Sequence, residues 1–198
     1  MNKAIYLTTN KGKFEEAKRI FKNYDIEIEV VNPNFDIPEI QANNCGDVAS
    51  FSVKYACEKL KVACVKSDTG LYLDCLGGLP GPYNAFFCNQ IKTEHFLELI
   101  KNEKNRTAYL EDAFAYCEPG EEPIVFIGRQ KGKISYEARG TIGKWHDFFF
   151  IPDGEEKTLS ELREINPEYE SKFWGNAKFK FASWYKKNKN SDKRKVII

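Results

Sequence analysis

The stretch Ser67–Tyr83, SDTGLYLDCLGGLPGPY, decides how this chain is read. Ala63–Ser67 is an apolar strand candidate that leads into Asp68. A carboxylate at the carboxyl end of such a strand lies where α/β sheets bind ligands. Gly70 would let the backbone turn there without a side-chain clash. A solvated aspartate in an ordinary strand-end turn would carry the same letters. Leu71–Leu76 is extended again. Gly77–Pro82 then packs three glycines and two prolines into six positions. Such a run makes a tight corner, here a wall beside the carboxylate.

Working toward the N-terminus, the spacing of Val53, Ala56, Cys57 and Leu60 predicts a helix over Asp47–Lys61. Asn32–Asn44 is irregular, because Pro33 and Pro38 block regular structure. Glu39 falls in this loop, in Pro38-Glu39-Ile40-Gln41, and supplies a second carboxylate. Two carboxylates, with phosphate and water completing the shell, are hard oxygen ligands suited to Mg²⁺. Ile26–Val31 alternates apolar and acidic residues as a half-exposed strand does. Ala4–Thr9 is a first strand, followed by a helix whose inner face is Phe14, Ala17, Ile20 and Phe21. Between them lies Thr8-Thr9-Asn10-Lys11-Gly12-Lys13. Free N–H groups of a helix start attract anions, and hydroxyls, an amide and two ammonium groups add donors suited to phosphate. An ordinary polar helix cap would use the same residues. The spacing is not that of a P-loop.

Toward the C-terminus, Thr93–Lys101 reads as a helix with Thr93 at its N-cap. Thr107–Cys117, Ile124–Gly128, Lys133–Arg139 and Trp145–Ile151 read as strands, with Gly120, Gly132, Gly140 and Gly143 at turns or bends. Helical patterns return at Leu159–Glu164 and Ala177–Lys187. Strand–helix alternation followed by consecutive strands predicts an α/β fold with an elongated mixed sheet, flanking helices and a central cleft. One domain over residues 1–185, built as two lobes, precedes a basic tail at 186–198, which reads as a solvated segment.

Composition narrows the function. The 198 residues are 42% hydrophobic, enough for a sizeable core. Thirty basic against 29 acidic residues leave a net charge of +1, so no global field draws the chain to nucleic acid or a membrane surface. No apolar run approaches membrane-spanning length, and a cytoplasmic location is expected. The six cysteines form no CxxC motif and read as reduced, buried thiols. With only His95 and His146, zinc sites and histidine-based triads are poorly supported. Carboxylates, lysines and a bound metal remain.

In this order, the pieces resemble the inosine triphosphate pyrophosphatase family over roughly residues 4–185. TTNKGK resembles its T-x-N-x-x-K opening, and PEIQ at Pro38–Gln41 its PEIQ/PEYQ segment. Ser67–Tyr83 resembles its most specific block, and Gly132-Lys133-Ile134, Ala138-Arg139-Gly140, Asp147 and Pro152–Thr158 its later signatures. The resemblance implies Mg²⁺-dependent cleavage between the α- and β-phosphates of ITP, XTP or dITP, giving a monophosphate and pyrophosphate, in a homodimer. It implies that Asp68 is metal ligand and base, and Glu39 a second metal ligand. Thr8, Thr9, Asn10, Lys11, Gly12, Lys13 and Thr69 would contact the nucleotide, and Lys54 would be a helical phosphate lysine.

The sequence departs from that pattern at three places. Ser67 stands where a second acid is usual. Lys144 replaces the aromatic expected to stack on the base, so that Trp145 or His146 would have to substitute beside Asp147. Ser171-Lys172-Phe173 replaces Ser-His-Arg, leaving Lys172 and Phe173 to read the base. Two other readings follow: the same reaction with an altered or broader base preference, or a nucleotide-binding sensor that lost turnover through Ser67.

Overall fold

The computed structural model describes residues 2–167, 169 and 176–189. Three parallel strands come first: β1 (Asn2–Tyr6), β2 (Ile26–Val30) and β3 (Cys64–Leu73). They are linked by the helices α1 (Lys11–Lys22) and α2 (Cys45–Leu60). A corner strand, β4 (Pro80–Gly81), precedes α3 (Asn84–Gln90) and α4 (Thr93–Leu99). The long strands β5 (Thr107–Cys117) and β6 (Ile124–Ile134) and the short β7 (Phe150–Pro152) continue the sheet antiparallel. The helices α5 (Leu159–Ile165) and α6 (Asn176–Lys189) follow. The order β2-β1-β3-β5-β6-β7, with β4 pairing β3, is the expected elongated mixed sheet.

Side-chain alternation sorts the helices onto opposite faces. Cys64, Ala113, Ala115 and Cys117 face α2, where Ala49, Val53, Ala56 and Cys57 bury their side chains. Val65, Phe114 and Tyr116 face α1 and α6, and meet Ala17, Ile20, Phe21, Phe181 and Tyr185. A third apolar cluster fills the far end, with Leu71, Leu73, Leu110 and Ile134 under Phe96, Trp145 and Phe149. Both crossover helices start on asparagine caps. Asn10 Oδ1 accepts from the Lys13 N–H at 3.1 Å and Asn44 Oδ1 from the Asp47 N–H at 2.8 Å.

Several local expectations are corrected. β3 does not end at Asp68: it runs unbroken through Gly70 to Leu73, because β5 pairs with it along its full length. Gly70 is therefore not a turn residue. A Cβ there would lie 2.5 Å from the Gly81 carbonyl oxygen and 2.9 Å from Cys45 Sγ, so glycine is required by the close approach of β4 and α2. β6 likewise passes through Gly132, which lets β7 approach, instead of bending there. β1 stops at Tyr6, short of Thr9, since Thr8 Oγ1 already accepts from the Asn10 N–H in the helix entry. Trp145–Phe148 is a 3₁₀ turn and not a strand, and α4 has Lys92, not Thr93, at its cap. The helix α6 extends to Lys189, which pairs with Glu118.

Replacing Gly70 by alanine forces the corner away from β3. We expect a loss of about 1–3 kcal/mol, the usual range for overpacking a tight core, measured as a lower urea midpoint. An unchanged midpoint would show that the β3–β4 contact yields freely.

Candidate active site

β3 has two edges, and they are used unequally. One is paired with β5 from Cys64 to Leu73. The other is paired with β1 only at Cys64 and Val65, and with β4 only at Leu71 and Tyr72. Lys66–Gly70 thus have no strand neighbour on that side. The gap lies beyond the carboxyl end of β1 and along the middle of β3, between strands whose crossover helices pack on opposite faces, and such a switch point makes a ligand crevice in open α/β sheets. The entry into α1 stands over it.

Two cavities meet at this gap, and Asp68 lines both. The larger, about 300 Å³, is bordered by Asn10, Lys13 and Glu16 of α1, by Asp68, Thr69 and Asp112 of the sheet, and by Lys178 of α6. Its far wall is Asn84, Ala85, Cys88 and Asn89 of α3 with Lys144 and His146. The smaller, about 70 Å³, is bordered by Glu39, Lys66, Ser67 and Asp68 with Ser52 and the apolar side of α2. Next to it, Thr8, Thr9 and Lys66 line a shallow depression with Asp36 and Ile37. A cleft of about 550 Å³ between Arg106, Lys133, Tyr136 and Arg139 shares no residue with this site.

Charges alternate through the larger cavity. Burial lifts the Asp68 pKa above the ordinary carboxylate value, while Lys13, the Cys45 thiol and the Thr69 N–H pull it back. Burial lowers the Lys13 pKa, opposed by Asp112 and Asp68. Lys178 is 1% exposed; burial works against its charge, but Asp112 and Glu16 outweigh this and push its pKa up. Its Nζ lies 2.7 Å from Asp112 Oδ2 and 3.3 Å from Glu16 Oε2. Asp112 Oδ1 also accepts from the Thr69 hydroxyl at 3.4 Å. On the other side of the gap, burial lowers the Lys66 pKa, opposed by Glu39 and Asp68.

The donor set suits a hard divalent cation. Asp68 Oδ2 is buried without a hydrogen-bond partner among the described residues, and Glu39 faces the same small cavity. No group of three or more His, Cys, Asp or Glu among the described residues forms a complete metal cage. Two carboxylates that leave the other positions to phosphate oxygens and water are the ordinary Mg²⁺ arrangement.

A family model described as the Ham1 family matches residues 4–184 of the chain. The chain belongs to the Ham1 family. It is 38% identical over 186 residues to a dITP/XTP pyrophosphatase of Methanopyrus kandleri, covering 94% of this chain and 97% of that protein. It is 38% identical to a dITP/XTP pyrophosphatase of Methanosarcina mazei, covering 82% and 86%. The Staphylococcus aureus Ham1 protein shares the fold, with a TM-score of 0.81 over 94% of this chain and 99% of that one at 24% identity.

Within this Ham1-family chain, the structure gathers some of the expected residues and disperses others. Asn10, Lys13, Asp68, Thr69, Lys144 and His146 line the larger cavity; Thr8, Thr9 and Glu39 lie on the smaller side. Lys54 is elsewhere: its ammonium pairs with Glu122 at 2.5 Å on the outer side of α2. Lys11 and Gly12 are exposed on the first turn of α1 and line neither cavity. Trp145 is a core residue, 4.6 Å from the Phe96 ring and 5.0 Å from the Phe149 ring, and is not a stacking wall. Asp147 is fully buried, accepts from the Lys144 N–H at 2.5 Å and pairs with Arg163, so it holds the loop together. Lys172 and Phe173 lie outside the described residues. Ser67 meets the Tyr6 hydroxyl at 2.5 Å.

The sequence reading missed Glu16, Lys66, Asn84, Asp112 and Lys178. Two signals for them were present. Lys66 is two residues before Asp68, hence on its face of the strand, and the acidic pair Glu111-Asp112 interrupts a largely apolar strand.

His146 gives the site a test in pH. Burial holds its pKa below 6.5, with the Asp147 carboxylate 3.4 Å away pulling the other way. Below that value the unfolded chain binds a proton that the folded chain resists, so stability falls as pH drops. We expect the urea midpoint to be lower at about pH 5.5 than at about pH 7.5, and the difference to shrink in His146→Gln. An equal difference in both proteins would place the acid sensitivity elsewhere.

Proposed function

We propose that the chain hydrolyses deaminated-purine nucleoside triphosphates, such as ITP, XTP and dITP, between the α- and β-phosphates. Water and the triphosphate give a nucleoside monophosphate and pyrophosphate. The observation that carries this reading is the position of Asp68 on the seam between two cavities, one wide enough for a nucleoside and one lined by Glu39 and Lys66. The names of the archaeal relatives, dITP/XTP pyrophosphatase, agree with it.

Asn10, Lys13 and Thr69 would hold the phosphates at the seam, with Thr8, Thr9 and Lys66 on the pyrophosphate side. Glu39 and Asp68 would hold Mg²⁺, which when bound supplies charge neutralisation of the triphosphate. Asp68, poised by burial against Lys13, accepts the proton of the attacking water. Lys144 and His146 border the space left for the base. A cytoplasmic homodimer fits this picture, with Leu79 (49% exposed) and Phe86 (65% exposed) as the apolar contact.

A panel of nucleoside triphosphates with Mg²⁺, scored for pyrophosphate, tests the reaction. Orthophosphate as the direct product would overturn the α–β cleavage, and binding without turnover would favour a sensor. Asp68→Asn should lower turnover by at least roughly 10²-fold with the fold retained; near-normal turnover would remove Asp68 from the chemistry. Glu39→Gln should instead shift the Mg²⁺ titration midpoint upward, and an unmoved midpoint would make Glu39 structural.

A further inference from the structure

Beyond Asp68, the larger cavity is bounded by α3, the Lys144–His146 turn and α6. Its other two carboxylates, Glu16 and Asp112, are directed at the Lys178 ammonium, and Asp112 also takes the Thr69 hydroxyl. Acceptor capacity in this half is therefore largely engaged, and Lys144 adds a group that can only donate.

Asn84 stands in the same wall with nothing to bond. It is 8% exposed, and its Oδ1 is buried without a hydrogen-bond partner among the described residues. It is the first residue of α3, but the cap position is Tyr83 and no side chain caps that helix. The amide is thus not used by the fold. It is nevertheless held in place: the Tyr83 N–H donates to the Pro80 carbonyl at 3.1 Å, and β4 is pressed against Gly70. Buried polar groups are nearly always paired, so an amide oxygen orphaned among the described residues on this wall marks a partner that those residues do not supply.

Resting on the nucleotide reading above, we propose that Asn84 is a specificity-determining residue that reads the 6-oxo purine edge, its Oδ1 accepting from N1–H and its amide N–H donating to the 6-carbonyl oxygen. A purine edge carrying O6 and N1–H matches an amide, which has one donor side and one acceptor side. An adenine edge, with donor and acceptor exchanged, would need the amide reversed. The preference for a 6-oxo base then comes in part from α3.

The test compares kcat/KM for ITP, for ATP and for purine riboside triphosphate, which lacks any 6-substituent. Asn84→Leu should lower the ratio of ITP to purine riboside triphosphate by about 5–150-fold, the range for an unmade buried hydrogen bond. Asn84→Asp keeps an acceptor and loses the donor, so it should lower the ITP/ATP ratio further than Asn84→Leu does. Equal losses on all three substrates, or unchanged ratios, overturn the proposal. Turnover of purine riboside triphosphate reports folding within the same experiment. If Asn84→Leu does not fold, Asn84→Ser carries the comparison. A wild-type protein that releases pyrophosphate from none of the three overturns the reaction alone; the same ratios are then read from dissociation constants.

Discussion

The open edge of β3 between Val65 and Leu71 is the constraint on which the site depends. β1 is too short to cover it because its chain turns at Thr8 into the capped start of α1, and β4 returns only far enough to cover Leu71 and Tyr72. Five residues of a central strand are left with one side unpaired, and a central strand can bear this only where polar partners replace the ladder. The alternation of side chains then sends Lys66 and Asp68 to the α2 face and Ser67 and Thr69 to the α1 face. One stretch of strand thereby supplies polar groups to both cavities.

The charges around that edge support one another across the sheet. Lys13 shares its cavity with Asp68 and Asp112, whose charges favour its own, and Lys178 lies between Asp112 and Glu16. An ammonium as buried as Lys178 is retained only with such partners, since removal of one member of a buried pair leaves an uncompensated charge. The three apolar clusters stop on either side of this polar band. α6 therefore has two functions: Phe181 and Tyr185 close one apolar cluster, and Lys178 on the same helix fixes the floor of the cavity.

The Lys144–Phe148 turn shows how a loop that departs from the family pattern is still held firmly. Asp147 is tied to Arg163 of α5 and to the Lys144 N–H, while Trp145 is packed between Phe96 and Phe149. Anchored on both sides, the turn presents only Lys144 and His146 to the cavity. Of the two rings in this turn, Trp145 is withdrawn into the core and only the His146 imidazole borders the cavity.

The sequence by itself determined the helices and strands whose patterns are local. The buried stripe of α1, the asparagine caps and the apolar runs of β3 and β5 were legible because each depends on neighbours within a few residues. Motif order picked out Asp68, Lys13 and Glu39 as candidates, and the structure places Lys13 and Glu39 on the two cavities that Asp68 lines. Tertiary structure alone decided that β3 continues past Asp68, since pairing with β5 overrides the turn tendency of a glycine. It also moved Lys54 out to Glu122 and Trp145 into the core, and brought Asp112 and Lys178, 66 residues apart in sequence, into one ion pair. Those outcomes follow from register and from the faces that helices cover, which arise only when distant segments pack.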